Sequence, residues 1–533
     1  MTIPHFPVNI SFVRRRQSLS CARRESHCEE DASTGTDGCP WNSKDTPLSQ
    51  LSSGRNRTNV PQLMDSDAKS DTLFTAFPVE LRVEVFLQFC GMYCPIGKET
   101  EGPLMLLQVC RAWKELVLQT PQLWTSFALD FRSFPPNQHE FLISTMKRWI
   151  DRSRNLPLSF NLHYPLPDAT CTTLIQYILP LSVRWRDVTL CAPAASLFPQ
   201  WEVNSNSFPS LRTLSMRAEG PCPFALSMAG LGFNWAQLTE LDVILSTLPT
   251  LDECLHILKE GVGLKRCSMY AFCVFGSKGR DRITLPKLEH LQLTVYGMDN
   301  GAVLPGLPDV QFLAFLVTLS LPGLESLKIG WNVPRGRGRP YYWSDCHAGF
   351  VAFLEQLGEH LQALHLQSLP FDARQVLQCL QVVPCLRHLH LSMSQADEEH
   401  DFIDNELFGG LTQQPGCSGL LPLLEGIRLE SPGKSLSNPD LLRFIASRWR
   451  YQKSTPGCLE GVDLVLHKRR AEYRPWRFRD TKEKRLQVNA RLKSEFKMVE
   501  VLASFLNRDS YGELLCFLNN DFPLDIRSLL IFD

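Results

Sequence analysis

One short pattern, Pro-x-Leu-x-x-Φ-x-Φ with Φ aliphatic, constrains this chain more than any other feature, because it returns along more than half of the 533 residues. It appears as Pro209, Leu211, Leu214 and Met216, and again with the same offsets from Pro286, Pro322, Pro384 and Pro422. Copies without the proline begin at Trp185, Leu238, Leu264, Leu361 and Leu459. From one leading residue to the next, the ten copies are separated by 26, 27, 26, 24, 36, 37, 25, 38 and 35 residues. The unit is therefore about 25 residues, sometimes lengthened by an insertion.

Alternation sends the two Φ residues to the same face of a short strand, while the leading residue packs one turn of chain earlier. The few aliphatic side chains of one unit cannot offset the ordering of its whole length, so units must stack and bury their faces against each other. A period of this size is that of leucine-rich repeats, and the polar or amphipathic stretch after each strand returns as a helix or an irregular segment. Helical returns are predicted at Thr250 to Lys259, His347 to Leu357 and Asp372 to Gln381.

Two insertions are expected as loops. One is Trp331 to Trp343, with Arg335, Arg337 and Arg339 among Tyr341, Tyr342 and Trp343; the other is Asp397 to Glu406, with six acids. Interleaved arginine and aromatic residues of this kind grip acidic or phosphorylated partners, or stack on single-stranded nucleic acid, when they are not simply solvated.

Ahead of the repeats the pattern is helical. In FPVELRVEVFLQF, Leu81, Val85, Phe86 and Phe89 share one helical face, with Pro78 tolerated in the first turn. After a Gly- and Pro-containing loop from Gly91 to Pro103, Leu106, Val109, Cys110, Trp113, Leu116 and Val117 recur at helical spacing. A single strong helix is predicted there, ended by Thr120 and Pro121, with Leu123 and Trp124 folding back over it. The expected organisation is a tail over 1–72, a helical module over 73–127, a repeat solenoid over 128–467 and a basic helical cap over 468–533.

Both ends differ in composition from the middle. Residues 1 to about 70 are rich in Ser, Thr, Asp, Asn and Arg, too polar to offset ordering, which predicts a disordered tail. A transit peptide is the alternative for its arginines, Arg14, Arg15, Arg16, Arg23 and Arg24, which precede the first acid at Glu25. From Lys468 to Lys497, twelve basic residues face four acids before the apolar stretch around Leu502 and Phe505.

Composition excludes several function classes. Basic residues number 55 and acidic residues 56, so no global field draws the chain to nucleic acid or an anionic membrane. No apolar run reaches the length of a bilayer; Val310 to Leu321 comes nearest and is too short. The 18 cysteines are scattered without a CxxC pair or a Cys/His cluster at zinc spacing, which predicts reduced, mostly buried thiols and no metal site. Gly433-Lys434-Ser435 lacks the upstream glycine of a phosphate loop, Gly416-Cys417-Ser418-Gly419 is no nucleophile elbow, and HExxH is absent. No catalytic residue and no cofactor is expected.

The ordered set FPVE, then LLQVCRAWKELV, then TPQLW, spanning Phe77 to Trp124, resembles the F-box. The following WIDRSRNLPLSFNL and RWRDVTLCAP are similar to the fungal F-box proteins with irregular leucine-rich repeats, and the resemblance covers about residues 77 to 470. It implies an α/β chain: a small helical F-box module, then a solenoid of short parallel strands with helical or irregular returns. It also implies a non-catalytic substrate receptor, in the cytoplasm or nucleus. The module would dock a Skp-type adaptor, and through it a cullin and a RING ligase, while the repeats select an unidentified protein for ubiquitination. By position, the implied docking residues are Pro78, Glu80, Leu81, Val85, Phe86, Leu107, Val109, Trp113, Leu123 and Trp124, some facing the adaptor and some the module's own core. A repeat scaffold whose F-box no longer engages the ligase is the alternative.

Overall fold

A computed structural model describes residues 76–466, except for 99, 202–207, 221–230, 246, 277–281, 298–306, 334–342, 394–401, 414–418, 432–442, 445–446 and 449–460. The expected N-terminal tail, the basic C-terminal cap, and Arg335, Arg337, Arg339, Tyr341 and Tyr342 lie outside the described residues. All described residues belong to one unit, Asp71–Asp533.

The repeat pattern becomes a sheet. Its strands are β1 (Cys94–Pro95), β2 (Ser126–Asp130), β3 (Leu158–His163), β4 (Trp185–Pro193), β5 (Thr213–Glu219), β6 (Glu240–Ile244) and β7 (Arg266–Phe272). They continue with β9 (His290–Tyr296), β11 (Ser326–Asn332), β12 (Ala363–Gln367), β13 (His388–Ser392), β14 (Gly426–Ser431) and β15 (Gly461–Leu466). These thirteen strands form one sheet, each hydrogen-bonded to its successor in the chain and all described pairs parallel. The short β8 (Ile283–Thr284) and β10 (Leu319–Ser320) form a separate parallel pair. The described protein is thus α/β with a solenoid-like order, strand and return alternating along the chain.

Register explains why the repeat spacing matters. Leu214, Leu241, Cys267, Leu291, Leu327, Leu364, Leu389 and Ile427 align across neighbouring strands, and so do Met216, Val243, Met269, Leu293, Ile329, Leu366, Leu391 and Leu429. Every one of them is buried, as are the leading residues from Leu211 to Leu424. The two Φ positions therefore form continuous apolar rows inside the stack, each burying area only because a neighbour covers it. In β15 the backbone keeps the same register, Ile427 to Val462 and Leu429 to Leu464.

Among the described residues eleven α-helices lie ahead of or between strands: α1 (Val79–Cys90), α2 (Pro103–Leu106), α3 (Arg111–Gln119), α4 (His139–Arg152), α5 (Ala169–Ile178), α6 (Ala194–Leu197), α7 (Leu251–Glu260), α8 (Pro308–Val317), α9 (Ser344–Glu355), α10 (Ala373–Gln381) and α11 (Asn405–Leu411). Local chemistry fixes where several begin. At Thr250 and Asp372 reciprocal capping boxes with Glu253 and Gln375 satisfy the free backbone donors of α7 and α10. Asp168 caps α5 and Asp404 caps α11. The three predicted helical returns correspond to α7, α9 and α10 within a few residues at each end. Where returns are irregular, aromatic side chains fill the space: Trp185, Phe208, Trp201 and Phe233 stand in successive ring contact with centroids 4.7–5.8 Å apart.

Four expectations need correction. The helix predicted from Leu106 to Val117 is broken, because Cys110 is extended (φ −157°, ψ 171°) and α3 starts only at Arg111. The region from Gly91 to Pro103 is not only loop: Cys94 and Pro95 pair with Phe127 and Ala128, and Ile96 N–H donates to Ala128 O at 2.8 Å. Gly102, at φ +65°, lies close against this strand: a Cβ there would stand 2.9 Å from Cys94 Sγ. The expected boundary after residue 127 falls inside β2, since Phe127 and Leu129 already occupy the two buried rows. Finally, the acidic insertion is not wholly loop, because Phe402 and Ile403 are buried and Asp404, Asn405 and Glu406 build the start of α11.

Candidate interaction surface

In α1 the apolar residues divide into two rows. Phe86 points inward, 1% exposed, with its ring 4.8 Å from that of Trp113 and with Leu87 and Cys90 packed beside it. Leu81, Val85 and Phe89 follow one another at i, i+4 and i+8 on another face and remain 52–53% exposed, and Phe77, one turn earlier, is 51% exposed. Val79, Met92, Met105 and Val109 are exposed as well. Of the sixteen large hydrophobic residues exposed among the described residues, eight fall between Phe77 and Val109. Scattered surface leucines need no explanation, but a concentration of this kind on one small module marks an interaction surface.

The structure sorts the docking residues implied by the resemblance. Pro78, Glu80, Leu81, Val85 and Val109 are exposed, Leu107 and Trp113 are half-buried, and Phe86, Leu123 and Trp124 are buried. The last three are therefore core, not contact residues. Trp124 Nε1 donates to Val117 O at 3.0 Å, its ring meets Trp149 edge-on at 4.9 Å, and the Arg152 guanidinium stands 4.5 Å above it. Trp124 also holds the leading position ahead of Phe127 and Leu129, so it joins the helical module to the first apolar rows. Residues that the sequence alone did not assign to docking, Phe89, Met92 and Met105, belong to the exposed set; the i+4 step from Leu81 through Val85 marks Phe89, while Met92 and Met105, outside α1, carry no such signal.

Trp343 also needs correction. It was expected in a partner-binding loop, yet it is fully buried, with Trp331, Phe350 and Phe371 rings at 5.1–5.5 Å. Its indole fills the gap that the insertion would otherwise leave between repeats.

Nucleophile chemistry has one local approximation. Cys191 Sγ lies 3.7 Å from His163 Nε2, but burial and the nearby Glu219 carboxylate push the thiol up to about 11, which keeps it protonated and unreactive. Among the described residues no group of three His, Cys, Asp or Glu side chains could hold a metal ion, and no helix is long and apolar enough to cross a membrane. The described cysteines are free, most of them buried. No family model matches the chain, and no curated protein matches it either.

Proposed function

We propose that the chain is the substrate-recruiting subunit of a Skp, cullin and RING type ubiquitin ligase: an F-box module followed by irregular leucine-rich repeats. The observation that carries this reading is the division of α1 into an inner row closed by Phe86 on Trp113 and an outer row of Leu81, Val85 and Phe89 left uncovered. A helical unit needs only the inner row to fold; the outer row has a use only when a second protein covers it. The ordered FPVE, VCRAW and PQLW segments, which resemble the F-box, support a Skp-type adaptor as that protein. The repeat sheet then holds the target, in cytoplasm or nucleus, and the chain itself performs no chemistry.

The test is co-purification of the intact protein with a Skp-type adaptor, read together with cullin recovery. Capture of both supports the reading, and failure to recover the adaptor sinks it. The second reading, a repeat scaffold that no longer engages a ligase, is favoured by one detail: Arg82 Nε is buried on α1 without a hydrogen-bond partner, in the helix that would dock. Recovery of the cullin with the intact chain removes that reading.

A further inference from the structure

The polar face of the sheet changes character toward its C-terminal end. In the column between the two apolar rows stand Thr189, Ser215, Asp242, Ser268 and Gln292, and then Lys328, His365, His390 and Arg428 on four successive strands, β11 to β14. Strands about 4.8 Å apart spread these four side chains over roughly 14 Å. In the adjoining column His388 stands between two small residues, Ala363 and Gly426. The result is a concavity of ≈ 270 Å³, walled by His365, His388, His390 and Arg428 and floored by Ala363 and Gly426.

Its polar groups are held in place but not used up. The His365 and His390 rings stack 3.6 Å apart at 18°; Nε2 of His365 is buried without a hydrogen-bond partner, whereas that of His390 faces the Glu430 carboxylate. Glu430 accepts from Arg428 Nε at 2.8 Å and Ser392 Oγ at 2.9 Å, and His390 Nε2 lies 3.4 Å from it. That carboxylate is thereby engaged and fixes Arg428, whose Nη1 has no hydrogen-bond partner among the described residues. A buried imidazole nitrogen left unpaired is a standing cost that a ligand would relieve. Burial pushes the His365 pKa down to about 3, with His390, Lys328 and Arg428 acting in the same direction against Glu430, so this imidazole is neutral at pH 7.

Size decides between ligand classes. Cofactors and drug-sized molecules occupy about 300–1,000 Å³ and are largely enclosed, whereas this concavity lies on an open sheet face and suits a single side chain. We propose that it is a binding site for one anionic side chain, carboxylate or phosphate, carried on a segment of the recruited protein laid across β11 to β14. Arg428 Nη1 and His365 Nε2 supply the hydrogen bonds, the His390 ring stacked on His365 and held by Glu430 forms the wall, and Lys328 adds charge from the strand next to His365. The assignment rests on the reading of the sheet as the surface that holds the target.

The test uses the purified full-length protein and three pools of short peptides with degenerate flanks and a fixed central phosphoserine, glutamate or serine, read by fluorescence anisotropy. One or both anionic pools should bind tighter than the serine pool, by about tenfold for a charge-assisted contact; preference for phosphoserine over glutamate assigns the phosphate, and equality assigns any carboxylate-like anion. Arg428→Gln should remove the preference, and so should Gly426→Leu, which fills the floor: a Cβ there already stands 3.0 Å from His388 Nδ1. Thermal melting of both variants checks that the fold is kept; Arg428 is exposed, so its variant serves if the Gly426 one is unstable. Equal binding of all three pools, no binding of any, or a preference that survives Arg428→Gln overturns the proposal. Adaptor capture is measured on the same preparations. Lost discrimination with the adaptor still captured overturns the pocket alone, and discrimination without adaptor capture overturns the ligase reading alone.

Discussion

Leu81→Asp separates docking from folding more cleanly than any other single change in the helical module. Leu81 is 53% exposed, so a partner that covered it would remove the other half of its apolar surface from water. Full burial of such a side chain stabilises by about 1.5–3 kcal/mol, so its remaining half contributes about 1 kcal/mol to binding. Placing a carboxylate in that contact adds a desolvation cost of about 2 kcal/mol. The sum, about 3 kcal/mol, weakens the complex roughly 100-fold at 1.4 kcal/mol per decade. The free protein should hardly notice, because Leu81 is the third residue of α1 and an acid there sits favourably at the helix N-terminus. Phe86→Ala is the contrast: this ring is 1% exposed and packed on Trp113, and its loss costs about 3–5 kcal/mol of folding. Adaptor affinity by biolayer interferometry, paired with thermal melting, reads both. Leu81→Asp should lose affinity at an unchanged Tm, and Phe86→Ala should lower the Tm. Unchanged adaptor affinity in Leu81→Asp, or a fall in Tm as large as that of Phe86→Ala, would refute the division of α1 into an outer docking row and an inner core row.

Two further outcomes follow from buried ionisable groups. His365 has a folded pKa of about 3 against 6.5 for an ordinary imidazole, so between those values the unfolded chain takes up the proton first; its contribution is complete above pH 6.5 and declines below it. From pH 7 to 5 the protein should lose about 2 kcal/mol that His365→Gln does not lose, measured by urea unfolding, and parallel profiles would contradict this. Arg448, 1% exposed, donates to the carbonyls of Leu411, Leu420 and Leu421. Arg448→Met should leave those acceptors unsatisfied and cost on the order of 3 kcal/mol, seen as faster amide exchange between α11 and β14; unchanged exchange would show the clamp to be dispensable.

The repeats were legible because a strand writes its buried face at alternate positions, and the leading residue writes the turn before it. Helical returns at Thr250 and Asp372 were legible through side chains that cap backbone donors. What escaped had weaker or longer-range marks. In β2 and β3 the buried rows are aromatic or mixed, Phe127 with Leu129 and Phe160 with Leu162, and the leading residue of β2 is Trp124, so the Pro-x-Leu signature is missing. The helix α4 carried its own pattern, Leu142, Ile143, Met146, Trp149 and Ile150, which only helical spacing reveals. The two residues of β1 have no periodicity at all; their pairing goes with the burial of Cys94 and Ile96 in the core, next to Gly102, which has no Cβ to clash with Cys94. The docking residues could be named from the sequence but not sorted, since exposure depends on which neighbours arrive. The stacked histidines were visible singly, yet their meeting is a product of register between strands one repeat apart.

That same register bears on how the two surfaces work together. On the proposed function both surfaces belong to one receptor, and a helical module on a flexible linker would leave their separation unfixed. Here the connection has three ties in addition to the covalent chain. The β1 strand leaves the end of α1 and adds itself to the sheet beside β2. The Tyr93 N–H donates to Ser126 Oγ at 2.9 Å, which fixes the approach to that strand. Trp124 closes the module on one side and packs on Trp149 of α4 on the other. Each tie buries groups that would be costly to expose, so bending at the joint would have to break strand pairing and aromatic packing together. The helix that bears the outer row is thus tied through β1 to the same parallel sheet that carries the column from Lys328 to Arg428, with the intervening strands between them.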